Sequence, residues 1–173
     1  MSSILSHPAV PLAIGLGLGF RKIPPRLLIV GVVASILPDL DVLAFRVGIA
    51  YSHPFGHRGI THSLTFAIAL ALIVSLFAVR LRASRTTTFW FVFVATASHG
   101  LLDMFTNGGL GVAYFWPYTT HRFFFPMQAI DVSPLNLQRF FSHAGSKVLQ
   151  SELAWVWLPC MAAGMMAYLA RRK

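Results

Sequence analysis

Ser63 to Val79 reads SLTFAIALALIVSLFAV, a run with no charged residue. A helix that crosses about 30 Å of hydrocarbon needs about 20 mostly apolar residues, with about 17 as a lower limit, so this stretch predicts a membrane span. Working outward, Thr88 to Phe105 (TFWFVFVATASHGLLDMF) and Leu153 to Ala170 (LAWVWLPCMAAGMMAYLA, with Pro159 inside it) predict two more. Pro8 to Phe20 and Arg26 to Leu37 are shorter apolar runs joined by Arg21-Lys22-Ile23-Pro24-Pro25, and they predict a short helical hairpin. The composition agrees: 56% of the 173 residues are hydrophobic and 11% are charged, against roughly a quarter charged in a soluble domain. The expected fold is all-α, a polytopic membrane helical bundle of about five segments, and residues 1–173 form a single domain because no connection is long enough for a second one.

The net charge of +9 raises the question of nucleic acid. The positions of the cations answer it differently. Arg21, Lys22 and Arg26 form one group, Arg80, Arg82 and Arg85 a second, and Arg171, Arg172 and Lys173 a third, each beside an apolar run. Short cytoplasmic loops carry this excess of cations in membrane proteins. With all three groups in the cytoplasm, the chain starts outside, crosses five times and ends inside, as an inner-membrane protein. Arg46, Arg58, Arg122, Arg139 and Lys147 are then left in outer loops. Ala9 to Phe20 has its cations after it, the reverse of a secretory signal peptide, and is expected to stay in the protein. Cys160 lies in an apolar run and has no second cysteine to pair with. Gly15, Gly17 and Gly19 alternate inside an apolar helix with no strand before them, which suits close helix packing and not a nucleotide loop.

Of five acidic residues, three stand in motifs that suit metal coordination: Asp39 and Asp41 in PDLD, and Asp103 in HGLLD. Ionisable groups near hydrocarbon are costly unless they are paired or bound to a cation. His99 and Asp103, four apart on a helix, share one face and can grip one ion, or can simply pair with each other. His57 and His62 flank Arg58-Gly59-Ile60-Thr61 before the Ser63 run, where Thr61 or Ser63 suits a helix cap. Asp39 and Asp41 can bridge ions or can form a solvated turn. His7 opens the first helix. The path set by arginine and lysine alone delivers His7, Asp39, Asp41, His57, His62, His99 and Asp103 to the extracytoplasmic face, and their nitrogen and oxygen donors suit zinc, or manganese, rather than a soft metal. His53 and His143 lack a partner at ligand spacing and read as loop histidines, Asp131 and Glu152 read as solvated or helix-capping, and Trp155 and Trp157 as lipid-facing or packing aromatics.

The order of these motifs resembles the YdjM-like family of predicted inner-membrane metal-dependent hydrolases. SHP at Ser6 to Pro8, LPDLD at Leu37 to Asp41, HRGITHS at His57 to Ser63 and SHGLLDMFTNGG at Ser98 to Gly109 carry the resemblance, which becomes a general pattern past Trp116-Pro117. The family is thought to be distantly similar to zinc-dependent phospholipase C, an all-helical fold with a multinuclear zinc site in which a His-x3-Asp also supplies ligands. The resemblance implies phosphodiester hydrolysis, and a site opening at the headgroup level would favour a lipid or lipid-linked phosphate as substrate. Two or more ions would activate water, Asp39 or Asp41 would bridge them or orient the water, and Arg58 would face the phosphate. Arg122 is a weaker choice for that task. A divalent-metal transporter and a noncatalytic protein with a structural ion are the competing expectations. Transport sites usually lie at the midplane between repeats, and a closed coordination sphere would mark a structural ion.

Overall fold

The computed structural model describes residues 2–134 and 136–172. Helix α1, Ala9–Leu18, stops at Gly19, whose φ of 75° is open to glycine. Pro24 and Pro25 then start α2, Pro25–Ile36, where a missing N–H costs nothing. Pro38 stops the α ladder after Ile36, and the chain tightens into a 3-10 helix over Leu37–Val47. After an irregular loop and the short 3-10 turn Ile60–His62 comes α3, Leu64–Ser75, capped by the Ser63 hydroxyl, which accepts from Phe66 N–H at 3.1 Å. Helix α4, Arg85–Met104, is capped in the same way by Ser84. Residues 106–134 are irregular, pinned by isolated bridges between Thr106 and Ile130 and between Val112 and Phe123. A short α5, Leu137–Phe140, precedes α6, His143–Glu152, which runs through a π-helical turn, Leu153–Trp157, into α7, Leu158–Ala170. Among the described residues there is no strand beyond those bridges.

Two runs of helix have the length and apolar composition of a membrane span, Pro25–Val47 and His143–Ala170, while Ala9–Leu18 and Leu64–Ser75 are apolar but shorter. The span expected over Ser63 to Val79 is therefore cut to 12 helical residues, about 18 Å at 1.5 Å per residue. From Leu76 the backbone closes i→i+3 turns, Leu76 N–H to Ile73 O, Phe77 to Val74 and Ala78 to Ser75, and reaches Arg82 at φ 59°.

One core joins α2, α3 and α4 through Leu27, Ala34, Ala71, Phe91 and Val92. A second, smaller one sets Ala9 of α1 and Val156 against Ile130 of the long loop. Helices α1 and α7 pack side by side because their contact is made of small residues: a Cβ on Gly17 would stand 2.9 Å from that of Ala167, and one on Gly164 would stand 2.9 Å from the Ala13 carbonyl. The alternating glycines thus serve close packing, as the sequence suggests. The surface carries many large apolar side chains, Val79, Leu76, Met166 and Ile29 among them, as expected where lipid rather than water is the solvent.

Candidate metal centre

Four element ends meet at one end of the bundle. His7 precedes α1, Asp39 and Asp41 follow α2 in the 3-10 helix, His57 and His62 precede α3, and His99 and Asp103 lie in the last turns of α4. The 3-10 segment after Pro38 turns Asp39 inward, where it is 4% exposed. The loop before α3 is shaped by Arg58, at φ 60°, and by Gly59, where a Cβ would strike the Pro54 carbonyl.

Asp39, His62, His99 and Asp103 each offer a ligand atom within 4.8 Å of the others, and all four are buried. His99 Nδ1 lies 2.7 Å from the Ser35 carbonyl. A carbonyl only accepts, so Nδ1 carries the proton and Nε2 a lone pair. His62 Nδ1 lies 3.1 Å from Asp41 Oδ2, which likewise turns its Nε2 inward. The two Nε2 atoms then face each other at 3.0 Å. Two lone pairs repel at that distance, so a proton or a cation belongs between them. Asp39 Oδ1 is 3.4 Å from His99 Nε2 and 3.8 Å from His62 Nε2, and Asp103 Oδ2 is 3.5 Å from His62 Nε2. Bonds of about 2.0–2.1 Å to a tetrahedral ion imply ligand separations of about 3.3 Å. Both oxygens of Asp39 are buried without a hydrogen-bond donor, although a buried carboxylate ordinarily finds one. The donor set and its spacing could hold a metal ion.

Charge points the same way. Of Asp39, Asp41 and Asp103, only Asp103 has an arginine or lysine within ion-pair distance among the described residues, the guanidinium of Arg58. Burial opposes protonation of His62, but the carboxylates of Asp103, Asp39 and Asp41 outweigh it and push the imidazole up to about 10. His7 goes the other way: burial and the adjacent His99 push it down to about 3. Its ring stacks on His99 with centroids 3.7 Å apart, and its Nε2 lies 3.7 Å from Asp39 Oδ2 and 4.0 Å from Asp103 Oδ1.

Asp41 is placed differently from Asp39. One oxygen pairs with His57 Nδ1 at 2.6 Å; the other receives the Arg58 N–H at 3.1 Å and the Thr61 hydroxyl at 2.6 Å, beside His62 Nδ1. Asp41, His57 and His62 form a second group of close donors, but the carboxylate is saturated by protein hydrogen bonds and acts as the hub that orients both imidazoles.

All seven side chains singled out by sequence meet here. Arg58, expected to face a phosphate, instead lies fully buried with Nε 3.2 Å from Asp103 Oδ2, Nη1 on the Gly108 carbonyl and Nη2 on Thr106 Oγ1, both at 2.8 Å. A buried carboxylate that must stay charged needs such a partner. Arg122 is also a clamp, donating to the carbonyls of His57, Tyr51 and His53 and so tying the two long loops together. Glu152, read as solvated or capping, is buried and accepts from the amide and hydroxyl of Ser3. Ser2 was not foreseen: its amide and hydroxyl donate to Asp103 Oδ1 at 2.8 and 3.1 Å, and the hydroxyl lies 3.1 Å from His7 Nε2. A serine near a terminus carries no spacing signal, so only the folded chain could place it. Ser63, not Thr61, is the helix cap; Thr61 is spent on Asp41. His53 is an exposed loop residue, as read, whereas His143 is exposed but opens α6 instead of lying in a loop.

The family described as YdjM inner membrane protein matches residues 1–173. The inner membrane protein YbcI of Escherichia coli (strain K12) is 47% identical over 173 residues, covering 99% of this chain and all of its own length. No solved structure matches.

Proposed function

The chain belongs to the YdjM family of inner membrane proteins, and from that premise we propose that it binds a divalent ion, zinc or manganese, at its extracytoplasmic face and hydrolyses a phosphoester of a lipid or lipid-linked substrate. The observation that carries the reading is the facing pair of His62 and His99 Nε2 atoms, 3.0 Å apart beside the undonated oxygens of Asp39. Asp39, His62, His99 and Asp103 would hold the ion. Because Asp41 is saturated, one tightly held ion per chain fits better than two or more; a second at Asp41 and His57 would have to break those hydrogen bonds.

A five-crossing path with the N-terminus outside is supported by where the cations lie. The start of α1, end of α2, start of α3 and end of α4 meet at the cluster, and the opposite ends carry the basic groups. Arg26 donates to the Arg80 carbonyl and Arg171 to that of Leu18, which brings all three groups to one end.

A bound ion of this kind supplies Lewis acidity and lowers the pKa of water toward neutrality. The chain's own groups set the stage for that chemistry. Asp41 fixes the rings of His57 and His62; the Ser35 carbonyl fixes His99; Arg58 offsets Asp103; and His7, neutral at ordinary pH, walls the site by stacking on His99.

The test is metal content and turnover of the purified protein. We expect about one zinc or manganese per chain, lost on Asp103→Ala, and hydrolysis of phospholipid or lipid-phosphate substrates that stops on chelation. Protein that binds no divalent ion overturns the reading. The burial of all four ligand residues favours one rival, a structural ion, and bound metal without turnover on any lipid phosphate would establish it. Metal uptake into proteoliposomes would instead support transport.

A further inference from the structure

At the end of the bundle away from the His/Asp cluster, the end of α1 and the end of α7 enclose a cavity of about 520 Å3 lined by Leu18, Arg21, Lys22, Arg171 and Arg172. Four of its five lining residues are cations. Among the described residues none has a carboxylate partner: Asp39, Asp41 and Asp103 are bound up in the cluster, Asp131 pairs with Asn107 and Glu152 with Ser3. At Arg171 this cavity joins an apolar groove of about 490 Å3 between α1 and α7, lined by Leu16, Phe20, Met161, Met165 and Tyr168 with the glycines between them.

Arg171 is fixed at the junction. Its Nη1 donates to the Leu18 carbonyl at 3.0 Å, its guanidinium lies against Gly19, where any Cβ would collide with it, and it stands 5.5 Å from the Tyr168 ring. Arg172 lies over the same ring at 4.5 Å. Cations this close repel one another unless an anion sits among them, and the groove that meets them at Arg171 is hydrocarbon-lined. A ligand that satisfies both halves has a negative headgroup and an acyl chain.

We propose that this is a binding site for an anionic phospholipid of the cytoplasmic leaflet, with its phosphate among Arg21, Lys22, Arg171 and Arg172 and one acyl chain along the α1–α7 groove. Basic pockets between membrane helices on the cytoplasmic side take such headgroups. A zwitterionic lipid carries its own cation beside the phosphate and neutralises less of the charge. The choice of leaflet rests on the topology proposed above; the pocket itself does not.

The test uses full-length protein in detergent, incubated with equal amounts of phosphatidylglycerol and phosphatidylcholine and washed, with retained lipid counted. We expect phosphatidylglycerol to be retained about tenfold over phosphatidylcholine, since each nearby cation contributes severalfold. Arg21→Gln with Arg172→Gln should bring the ratio to near one. Met165→Trp, which fills the groove from its exposed side, should lower retention of phosphatidylglycerol by a similar factor. Arg82→Gln with Arg85→Gln removes as much charge from the neighbouring basic group and should leave the preference intact. Equal retention of the two lipids, an equal loss in the Arg82 and Arg85 pair, or no effect of Met165→Trp overturns the site. Orientation is read separately: Lys22→Cys in a Cys160→Ser background, labelled in whole cells by an impermeant thiol reagent, would overturn the leaflet assignment while leaving the detergent result standing.

Discussion

His62 stands between three carboxylates and a second imidazole, and that position sets the pH response of the centre. Its ordinary value of 6.5 is pushed up to about 10, so the native protein keeps a proton that the unfolded chain releases above pH 6.5. The stabilisation is complete below pH 6.5 and is lost as pH rises through 10. His7, pushed down from 6.5 to about 3, refuses a proton that the unfolded chain accepts, so stability also falls as pH drops from 6.5 toward 3. Thermal stability of chelator-treated protein should therefore peak near pH 6.5, with limbs of up to about 1.4 kcal/mol per pH unit, and His62→Gln should flatten the alkaline limb alone. A metal ion competes for the same nitrogen. Its apparent affinity should rise about tenfold per pH unit between pH 7 and 9 as one proton is displaced, and a pH-independent affinity in a zinc titration would contradict that competition. Asp41→Asn leaves the four proposed ligands in place but removes the hub that orients two of the rings; loss of a group that hydrogen-bonds a ligating imidazole costs about 10–100-fold in metal affinity, readable in the same titration.

Helix ends, more than helix middles, build this protein. Pro38 ends the α ladder of α2 and hands the chain to a tighter 3-10 turn that buries Asp39. Ser63 fixes where α3 begins, one residue after His62. On α4, His99 and Asp103 share a face at a spacing of four, as the helical period requires, yet they do not pair with each other. Asp103 takes Arg58 and Ser2 instead, and His99 takes Ser35. The α1–α7 pair depends on small residues. Gly164→Val would push its side chain into the Ala13 carbonyl, and we expect a loss of about 1–3 kcal/mol, the usual range for overpacking, measured as a lowered thermal midpoint in detergent; a neutral outcome would mean that the two helices separate freely.

At the scale of the molecule, the acid-rich and base-rich ends of the bundle are segregated: three of the five acids meet at one end, while Arg26 binds the Arg80 carbonyl and Arg171 that of Leu18 at the other. A chain so polarised should insert with the basic end inside. Single cysteines in a Cys160→Ser background test this. Thr119→Cys should react with an impermeant reagent added to whole cells, and Arg82→Cys should react only after lysis. The reverse pattern would place the candidate metal site in the cytoplasm and overturn the proposed extracytoplasmic reaction.

The sequence alone determined the all-helical, membrane-type character and the candidate cluster, because both are written in local terms. Apolar runs mark helices, basic groups mark helix ends, and His and Asp are too scarce in such a chain to be scattered idly; His99, Asp103, Asp39 and His62 could be named from motif and spacing. The tertiary structure decided the rest. It shortened the Ser63 run to Leu64–Ser75, turned Arg58 from a phosphate contact into the partner of Asp103, made Asp41 an orienting hub and buried Glu152 on Ser3. Those outcomes depend on which groups of distant segments come within 3 Å or so of each other. A one-dimensional pattern holds helical periods, but the pairing of residues a hundred positions apart exists only once the helices have packed.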